Sequence, residues 1–141
     1  MIVLLVRHAR AGERAEWEGD DRLRPLDEKG LEQARRLVEL LDEYPIGRIL
    51  SSPFLRCTQT VEPLADARTL AVEEVDELAE GRARRDVVSL LSSAEETCIV
   101  LCTHGDVVEE LLDDGLKKGA TEVLELQGGR LTRVRHLERP T

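Results

Sequence analysis

The sequence predicts an α/β fold, specifically a three-layer α/β/α sandwich with a mostly parallel central sheet. Short apolar segments alternate along the chain with longer segments whose apolar residues recur at helical spacing. Residues 2–6 are uninterruptedly apolar, which is typical of a strand covered on both faces. Strands that alternate with helices favour right-handed crossovers, and these give a parallel sheet with helices on both sides.

The first half of the chain supplies two strands and two helices in this prediction. A strand at residues 2–7 is followed by a polar segment over residues 9–26, which is long enough to carry function. Asp27 is a suitable N-cap for the first helix. The buried face of that helix is predicted to consist of Ala34, Leu37, Val38 and Leu41. After a second strand at residues 47–51, Ser52 as N-cap and Pro53 at the first helical position predict a helix to about Asp66.

The second half of the chain continues the alternation and ends in a hairpin. A weak strand is predicted at residues 70–74, and a strong one at residues 97–103. Between them, Ala83, Val87, Leu90 and Leu91 mark a third amphipathic helix. A short helix over residues 106–114 follows, and segments 121–126 and 130–136 read as a hairpin around Gln127-Gly128-Gly129.

Composition limits the classes of partner. The chain has 141 residues, enough for the single domain that we expect over residues 1–141. A formal net charge of −9 argues against a nucleic acid polymer or an anionic membrane as partner, because both require a basic face. Aromatic residues make up only 2%, which further disfavours base stacking along a strand of nucleic acid. A few clustered arginines can still bind a small anion.

The cysteine pattern and the N-terminus indicate a cytoplasmic protein. The three cysteines are an odd number without the spacing of a disulfide scaffold, which points to a reducing compartment. No CxxC or HxxxH pair is present to supply zinc ligands, so we expect neither a metal nor another cofactor. The apolar N-terminal run is too short to span a bilayer and reads as a buried strand.

Histidines and arginines follow the predicted strands at the positions where such folds bind ligands. Arg7 and His8 end the first strand, Ser52 follows the second, and His104 follows the strand at residues 97–103. Arg56 lies at the start of the helix after the second strand. Because ligands bind beyond the carboxyl ends of parallel strands, we expect these side chains to meet at one edge of the sheet.

This combination of side chains suits phosphoryl transfer. A neutral imidazole can attack phosphorus and hold the phosphoryl group covalently. The guanidinium group is a rigid fork of donors that matches phosphate oxygens, and cationic donors stabilise the charge of the transition state. One histidine after a strand would be a weak signal, but two histidines and two arginines at one sheet edge favour a functional site.

Three motifs identify the family that the chain resembles. They are Leu5-Val6-Arg7-His8-Ala9-Arg10-Ala11-Gly12, Ser51-Ser52-Pro53-Phe54-Leu55-Arg56-Cys57-Thr58-Gln59-Thr60 and Cys102-Thr103-His104-Gly105. Together they resemble the signatures of the histidine phosphatase (phosphoglycerate mutase-like) superfamily. Residues 21–30 resemble its compact SixA-like phosphohistidine phosphatase branch. The chain also resembles the phosphatase domain that is fused behind a Nudix domain in some nucleotide-sanitising hydrolases, although it contains no Nudix box.

The resemblance implies a metal-independent phosphatase that works through a phosphohistidine intermediate on His8. Arg7 and Arg56 would clamp the phosphate, His104 would donate to the phosphoryl oxygens, and Arg10 would be a secondary contact. The implied substrates are phosphohistidine proteins or small phosphorylated metabolites, nucleotides included. A separate Nudix or signalling protein would be a natural partner for such a domain.

The sequence offers more than one candidate for the proton donor, and it is compatible with a protein that binds its ligand without hydrolysing it. Glu77 is the expected general acid by its position in the chain, with Glu80 and Asp106 as alternatives. Trp17 lies in the polar segment, where it could cover the pocket or stack on a base. The alternative function is a degenerate module that binds a phosphorylated ligand without turning it over.

Overall fold

The protein is a six-stranded sheet between two layers of helices, in a computed structural model that describes residues 1–140. The strands are β1 (Ile2–Arg7), β2 (Arg48–Ser51), β3 (Val72–Glu74), β4 (Cys98–Thr103), β5 (Thr121–Gln127) and β6 (Arg130–Leu137). The helices are α1 (Glu28–Leu40), α2 (Leu55–Arg68), α3 (Arg84–Ser92) and α4 (Gly105–Leu112). Short 3-10 turns lie at Arg14–Glu16, Asp21–Leu23 and Asp76–Leu78. The single domain over residues 1–141 stays a prediction, and its last residue lies outside the described part.

The sheet is mostly parallel, in the order β3-β2-β4-β1-β5-β6. Strands β1, β2, β3 and β4 run parallel, while β5 is antiparallel to β1 and β6 is antiparallel to β5. The predicted fold class is therefore confirmed. Arg7 pairs with Thr103, and Ser51 pairs with Cys102. The carboxyl ends of β1, β2 and β4 are thus level, which places the residues that follow them at one edge.

Alternate residues of the central strands supply two separate cores. Leu4 and Val6 of β1 belong to one core, which the apolar faces of α1 and α2 complete. Val3 and Leu5 belong to the other core, which α3 and α4 complete. All of these β1 side chains are fully buried, and each contributes roughly 1.5–3 kcal/mol relative to exposure. Among residues 1–140, no helix is both long and apolar enough to cross a membrane.

Two helix starts show how well the sequence predicted the element boundaries. Asp27 caps α1 as predicted, because its Oδ1 accepts a hydrogen bond from the Gly30 amide at 2.8 Å. Ser52 and Pro53 are not the N-cap and first residue of α2, which begins at Leu55 after an extended Phe54. The Ser52 hydroxyl lies 2.8 Å from His104 Nε2 instead. The residue that looked like a cap is part of the candidate site.

Candidate active site

A cavity of about 360 Å³ lies beyond the carboxyl ends of the parallel strands. His8 and Arg7 reach it from β1, His104 from β4, and Arg56 from the first turn of α2. The structure therefore brings these side chains together, as the order of strands and helices predicts.

His8 is buried and neutral in this cavity. Its side chain is 5% exposed, and Nδ1 lies 2.8 Å from the carbonyl oxygen of Ala9. Because a carbonyl can only accept, Nδ1 carries the proton and Nε2 keeps its lone pair. Burial lowers the pKa of His8 to about 3, and the nearby charges of Arg56 and Arg7 act in the same direction. The imidazole is thus in the form that can act as a nucleophile.

Arg7 is held against the start of α4. One terminal nitrogen donates a 2.6 Å hydrogen bond to the carbonyl of Leu116, while the buried Nε has no hydrogen-bond partner among residues 1–140. A Cβ at Gly105 would lie 2.8 Å from the Arg7 Cζ, so only glycine leaves room for the guanidinium group. Burial lowers the pKa of Arg7, and the negative charges of Glu109 and Asp106 oppose this shift.

Arg56 is a buried cation whose charge is balanced by two carboxylates. Its side chain is 1% exposed, and one terminal nitrogen lies 3.1 Å from Asp21 Oδ2 and 3.0 Å from Glu80 Oε2. Glu80 also accepts a 2.9 Å hydrogen bond from Arg14. The Arg56 Nε is buried and makes no hydrogen bond within the described chain. Pairing of this kind is what keeps a buried guanidinium from destabilising the fold.

His104 lies beside His8, with 5.5 Å between the ring centroids. Its Nε2 is 2.8 Å from the Ser52 hydroxyl and 3.6 Å from the Cys57 sulfur. Its Nδ1 is buried and unpartnered within residues 1–140, like the Nε atoms of Arg7 and Arg56. Buried polar groups without partners are rare, and three of the five within residues 1–140 belong to side chains that line this cavity. The guanidinium and imidazole groups that line it suit a ligand rich in hydrogen-bond acceptors. A phosphoryl group is such a ligand.

Residues 3–83 match the histidine phosphatase superfamily (branch 1). The chain belongs to this superfamily. Its members are hydrolases that act on phosphoryl groups, so family membership and the chemistry of the cavity agree.

Three known proteins show how the chain relates to the rest of the superfamily. It is 33% identical to an 8-oxo-(d)GTP phosphatase of Mycolicibacterium smegmatis, over 98% of this chain and 48% of that protein. It is 36% identical to the phosphohistidine phosphatase SixA of Escherichia coli, over 50% of this chain and 43% of that protein. Each match with these curated relatives thus covers about half of the relative's length. The solved structure of the protein histidine phosphatase SixA complexed with tungstate superposes with a TM-score of 0.84, at 25% identity, over 98% of this chain and 97% of that chain.

Two residues that the sequence placed in the site of this histidine phosphatase lie elsewhere. Glu77 does not line the cavity and is instead within electrostatic reach of Arg82. It precedes Leu78, whose side chain is fully buried, and the chain reaches the cavity only three residues later, at Glu80. Arg10 does not line the cavity either.

The position of Arg10 follows from its neighbours. Ala9 and Ala11 are buried, so the side chain between them faces outward and is 62% exposed. There it forms a 3.0 Å ion pair with Asp27. The Arg10 backbone carbonyl also lies so close to α1 that a Cβ at Gly30 would clash with it.

Several charged residues at the cavity were not expected from the sequence. The polar segment contributes Arg14 and Arg24, and the turn before β5 contributes Lys118. Arg24 is 6% exposed and donates to Asp21 Oδ1 at 2.8 Å. The unusual length of the polar segment was the one signal that could have pointed to Arg14 and Arg24. Within residues 1–140, no group of three or more His, Cys, Asp or Glu side chains is arranged to hold a metal ion.

Proposed function

We propose that the chain is a phosphatase that transfers the phosphoryl group of its substrate to Nε2 of His8 and then to water. The observation that carries this proposal is the state of His8, which is neutral and keeps its Nε2 lone pair because Nδ1 donates to Ala9. The side chains of Arg7, Arg56 and His104 line the same cavity and are suited to donate to phosphoryl oxygens.

In the first step, the Nε2 lone pair of His8 forms a bond to phosphorus while the bond from phosphorus to the leaving oxygen breaks. The leaving oxygen keeps the electron pair of that bond. Arg7 and Arg56 neutralise the charge on the equatorial oxygens, and the ring of His104 faces the same group. Such stabilisation by fixed donors is usually the largest contribution to catalysis.

The leaving oxygen needs a proton, and Glu80 is the carboxylate that we assign to this role. Glu80 lines the cavity and shares Arg56 with the phosphoryl group. A bound phosphoryl group would compete with Glu80 for Arg56, which leaves the Glu80 carboxyl group free to pass a proton to the leaving oxygen. In the second step, the same carboxylate takes a proton from the water that attacks phospho-His8. The electrons of the phosphorus–nitrogen bond return to His8.

The relatives support two substrate classes for this chemistry. One is named for an oxidised nucleotide and the other for phosphohistidine. We propose a phosphorylated small molecule or a phosphohistidine protein as substrate, and a separate Nudix or signalling protein as partner. Both an acyl phosphate and phosphohistidine carry a good leaving group, so either would reveal the activity even where protonation is weak.

The nucleophile is tested with acetyl phosphate and p-nitrophenyl phosphate, without added metal. We expect wild type to release phosphate and His8→Ala to do so at least about 10³-fold more slowly, since its nucleophile is gone. His136→Ala is the matched control, because His136 is hydrogen-bonded to Glu122 and lies outside the cavity. Mass spectrometry under alkaline conditions should find the phosphoryl adduct in wild type and His136→Ala but not in His8→Ala. Normal turnover by His8→Ala would refute the mechanism, and tight phosphate binding without any turnover would favour a binding module.

The proton donor is tested with a pair of matched variants, Glu80→Gln and Glu77→Gln. For an alkyl phosphate, whose leaving oxygen is strongly basic, we expect Glu80→Gln to lower kcat about 10²- to 10⁴-fold. For p-nitrophenyl phosphate the loss should be much smaller, because that leaving group needs little protonation. Glu77→Gln should behave as wild type with both substrates. An equal loss with both substrates in Glu80→Gln would mean that Glu80 only holds Arg56 in place.

A further inference from the structure

A second hollow adjoins the catalytic cavity. It has a volume of about 270 Å³ and shares Gly12, Glu13 and Arg24 with the cavity. Its remaining walls come from Glu16, Trp17, Pro25, Leu26 and Asp27. Because the two spaces share lining residues, one ligand can occupy both, with its phosphoryl group near His8 and the rest of the molecule in the hollow.

Trp17 gives this hollow a surface for a flat ring. It is the only tryptophan of the chain, and it is 37% exposed on the polar segment. Its indole nitrogen donates a 2.9 Å hydrogen bond to the carbonyl of Asp20, which fixes the ring before any ligand binds. Aromatic side chains that are held in this way are the usual platforms for nucleobases, since every base has a π-face.

The carboxylates of the hollow restrict which base fits. Glu13 and Glu16 are exposed and form no ion pair with any group of residues 1–140. Asp27, by contrast, is engaged by the Gly30 amide and by Arg10. A guanine carries two adjacent N–H donors on its Watson–Crick edge, which match the two oxygens of one carboxylate. An adenine carries an acceptor nitrogen in that place, and a carboxylate repels it.

The charges of the two spaces also orient such a ligand. The residues that line only the cavity include four cationic and three anionic side chains, whereas the two charged residues that line only the hollow, Glu16 and Asp27, are both anionic. An anionic phosphoryl end is therefore favoured in the cavity, and a base rich in N–H donors is favoured in the hollow.

We infer that the Trp17 hollow binds the guanine base of a nucleotide whose terminal phosphoryl group reacts at His8. This inference rests on the proposed function, since it names the substrate class for the same site. It selects nucleotides over phosphohistidine proteins, because a histidine side chain presents no edge with two adjacent N–H donors.

The first test measures binding without turnover. As the only tryptophan of the chain, Trp17 reports on the hollow through its fluorescence. In the His8→Ala variant, we expect GDP to change this fluorescence saturably and inorganic phosphate to leave it unchanged. ADP should bind about tenfold or more weakly, because it lacks the paired donors. An equal affinity for ADP and GDP, or the same change with phosphate alone, would overturn the inference.

The second test compares substrates in variants of the hollow. We expect Trp17→Ala to lower the ratio of kcat/KM for GDP to kcat/KM for acetyl phosphate about tenfold or more, since a stacked base is lost. Trp17→Phe should restore most of this ratio. Leu23→Ala is the matched control, because Leu23 is exposed on the same segment and lines neither space.

The two proposals fail in different ways. Turnover of acetyl phosphate together with no binding of GDP would overturn the guanine site and leave the phosphatase mechanism standing. Faster turnover of a phosphohistidine peptide than of GDP, with the same ratio in Trp17→Ala as in wild type, would do the same. Saturable binding of GDP by a protein that releases no phosphate from any substrate would support the guanine site in the hollow and refute the phosphatase mechanism.

Discussion

The reactivity that we assign to His8 comes from two features of its surroundings. Burial keeps the ring neutral, and the Ala9 carbonyl directs the proton to Nδ1. The loss of either feature would leave Nε2 without its lone pair for part of the time. The nucleophile is therefore defined by one backbone carbonyl as much as by the histidine itself.

The low pKa of His8 makes stability depend on pH in one direction. In the folded protein it is about 3 and the ordinary value is 6.5, so between these values the unfolded chain binds a proton that the folded chain does not. The stability contributed by neutral His8 is complete above pH 6.5 and falls by about 1.4 kcal/mol per pH unit below it. Denaturant unfolding of wild type and of His8→Asn at pH 7, 6 and 5 isolates this contribution, because other groups such as His136 titrate equally in both. The unfolding free energy of His8→Asn should depend less steeply on pH than that of wild type, by about 1.4 kcal/mol per pH unit. Identical slopes for the two proteins would contradict the assignment.

Gly105 provides a second test at the scale of one residue. A methyl group there would meet the Arg7 guanidinium, so we expect Gly105→Ala to move Arg7 and lower kcat/KM up to about 10²-fold. The unfolding free energy should change by less than about 1 kcal/mol, because the displaced group is the end of a side chain and alanine favours helix. Gly115→Ala is the control, since its nearest atom would be 3.8 Å away. Full activity in Gly105→Ala would show that the position of Arg7 is not critical.

The sequence located those side chains whose position depends on backbone order alone. Arg7, His8 and His104 directly follow the ends of parallel strands, so topology is sufficient to bring them together. Glu77 and Arg10 depend on where one side chain points within a turn or an irregular segment. A shift of one residue reverses that direction, and no periodic pattern records it.

At the scale of elements, helix α1 anchors the segment that forms one wall of the site. The Asp27 carboxylate caps the helix, and the Arg10 carbonyl accepts from the Asp27 amide at 3.1 Å. The Leu26 amide donates to Gln59 of α2, which ties the segment to the second helix as well. The polar segment is therefore fixed at its end by two helices, although it has little regular structure of its own.

The cap of α1 can be separated from its ion pair by two variants. We expect Asp27→Ala to lower the unfolding free energy by about 1 kcal/mol, because the Gly30 amide loses its acceptor. Arg10→Ala removes only the exposed ion pair and should cost about 0.5 kcal/mol or less. Chemical denaturation measures both values. Phosphate release by Arg10→Ala should match wild type, and equal destabilisation by the two variants would mean that the ion pair dominates.

Most elements were predictable because their apolar periodicity is strong. The limits of β1 and the cap of α1 were predicted correctly. The start of α2 was not, because Ser-Pro is a common helix start and nothing local shows that the Ser52 hydroxyl binds His104 instead. Local rules fail here at a residue that the site requires for another purpose.

At the scale of the whole molecule, stability depends on a sheet whose central strand is covered on both sides. Leu4 is fully buried in the core on the side of α1 and α2, whereas Leu23 is 61% exposed. We expect Leu4→Ala to lower the unfolding free energy by about 2–5 kcal/mol, through lost burial and the cavity left behind. Leu23→Ala should change it by about 0.5 kcal/mol or less. Urea unfolding curves of the two variants would contradict this picture if they coincided.

The position of β1 in the sheet also bears on how the chain acquires its structure during synthesis. Ile2 pairs with Cys98 on one side and with Glu125 on the other. Strand β1 is therefore translated before both of its neighbours, and it can pair with them only after β4 and β5 have also been made. Contacts so distant in sequence slow folding, and the waiting apolar strand is open to aggregation or to chaperones in the meantime. The surroundings of His8 consequently form only after β4 and β5 have been translated.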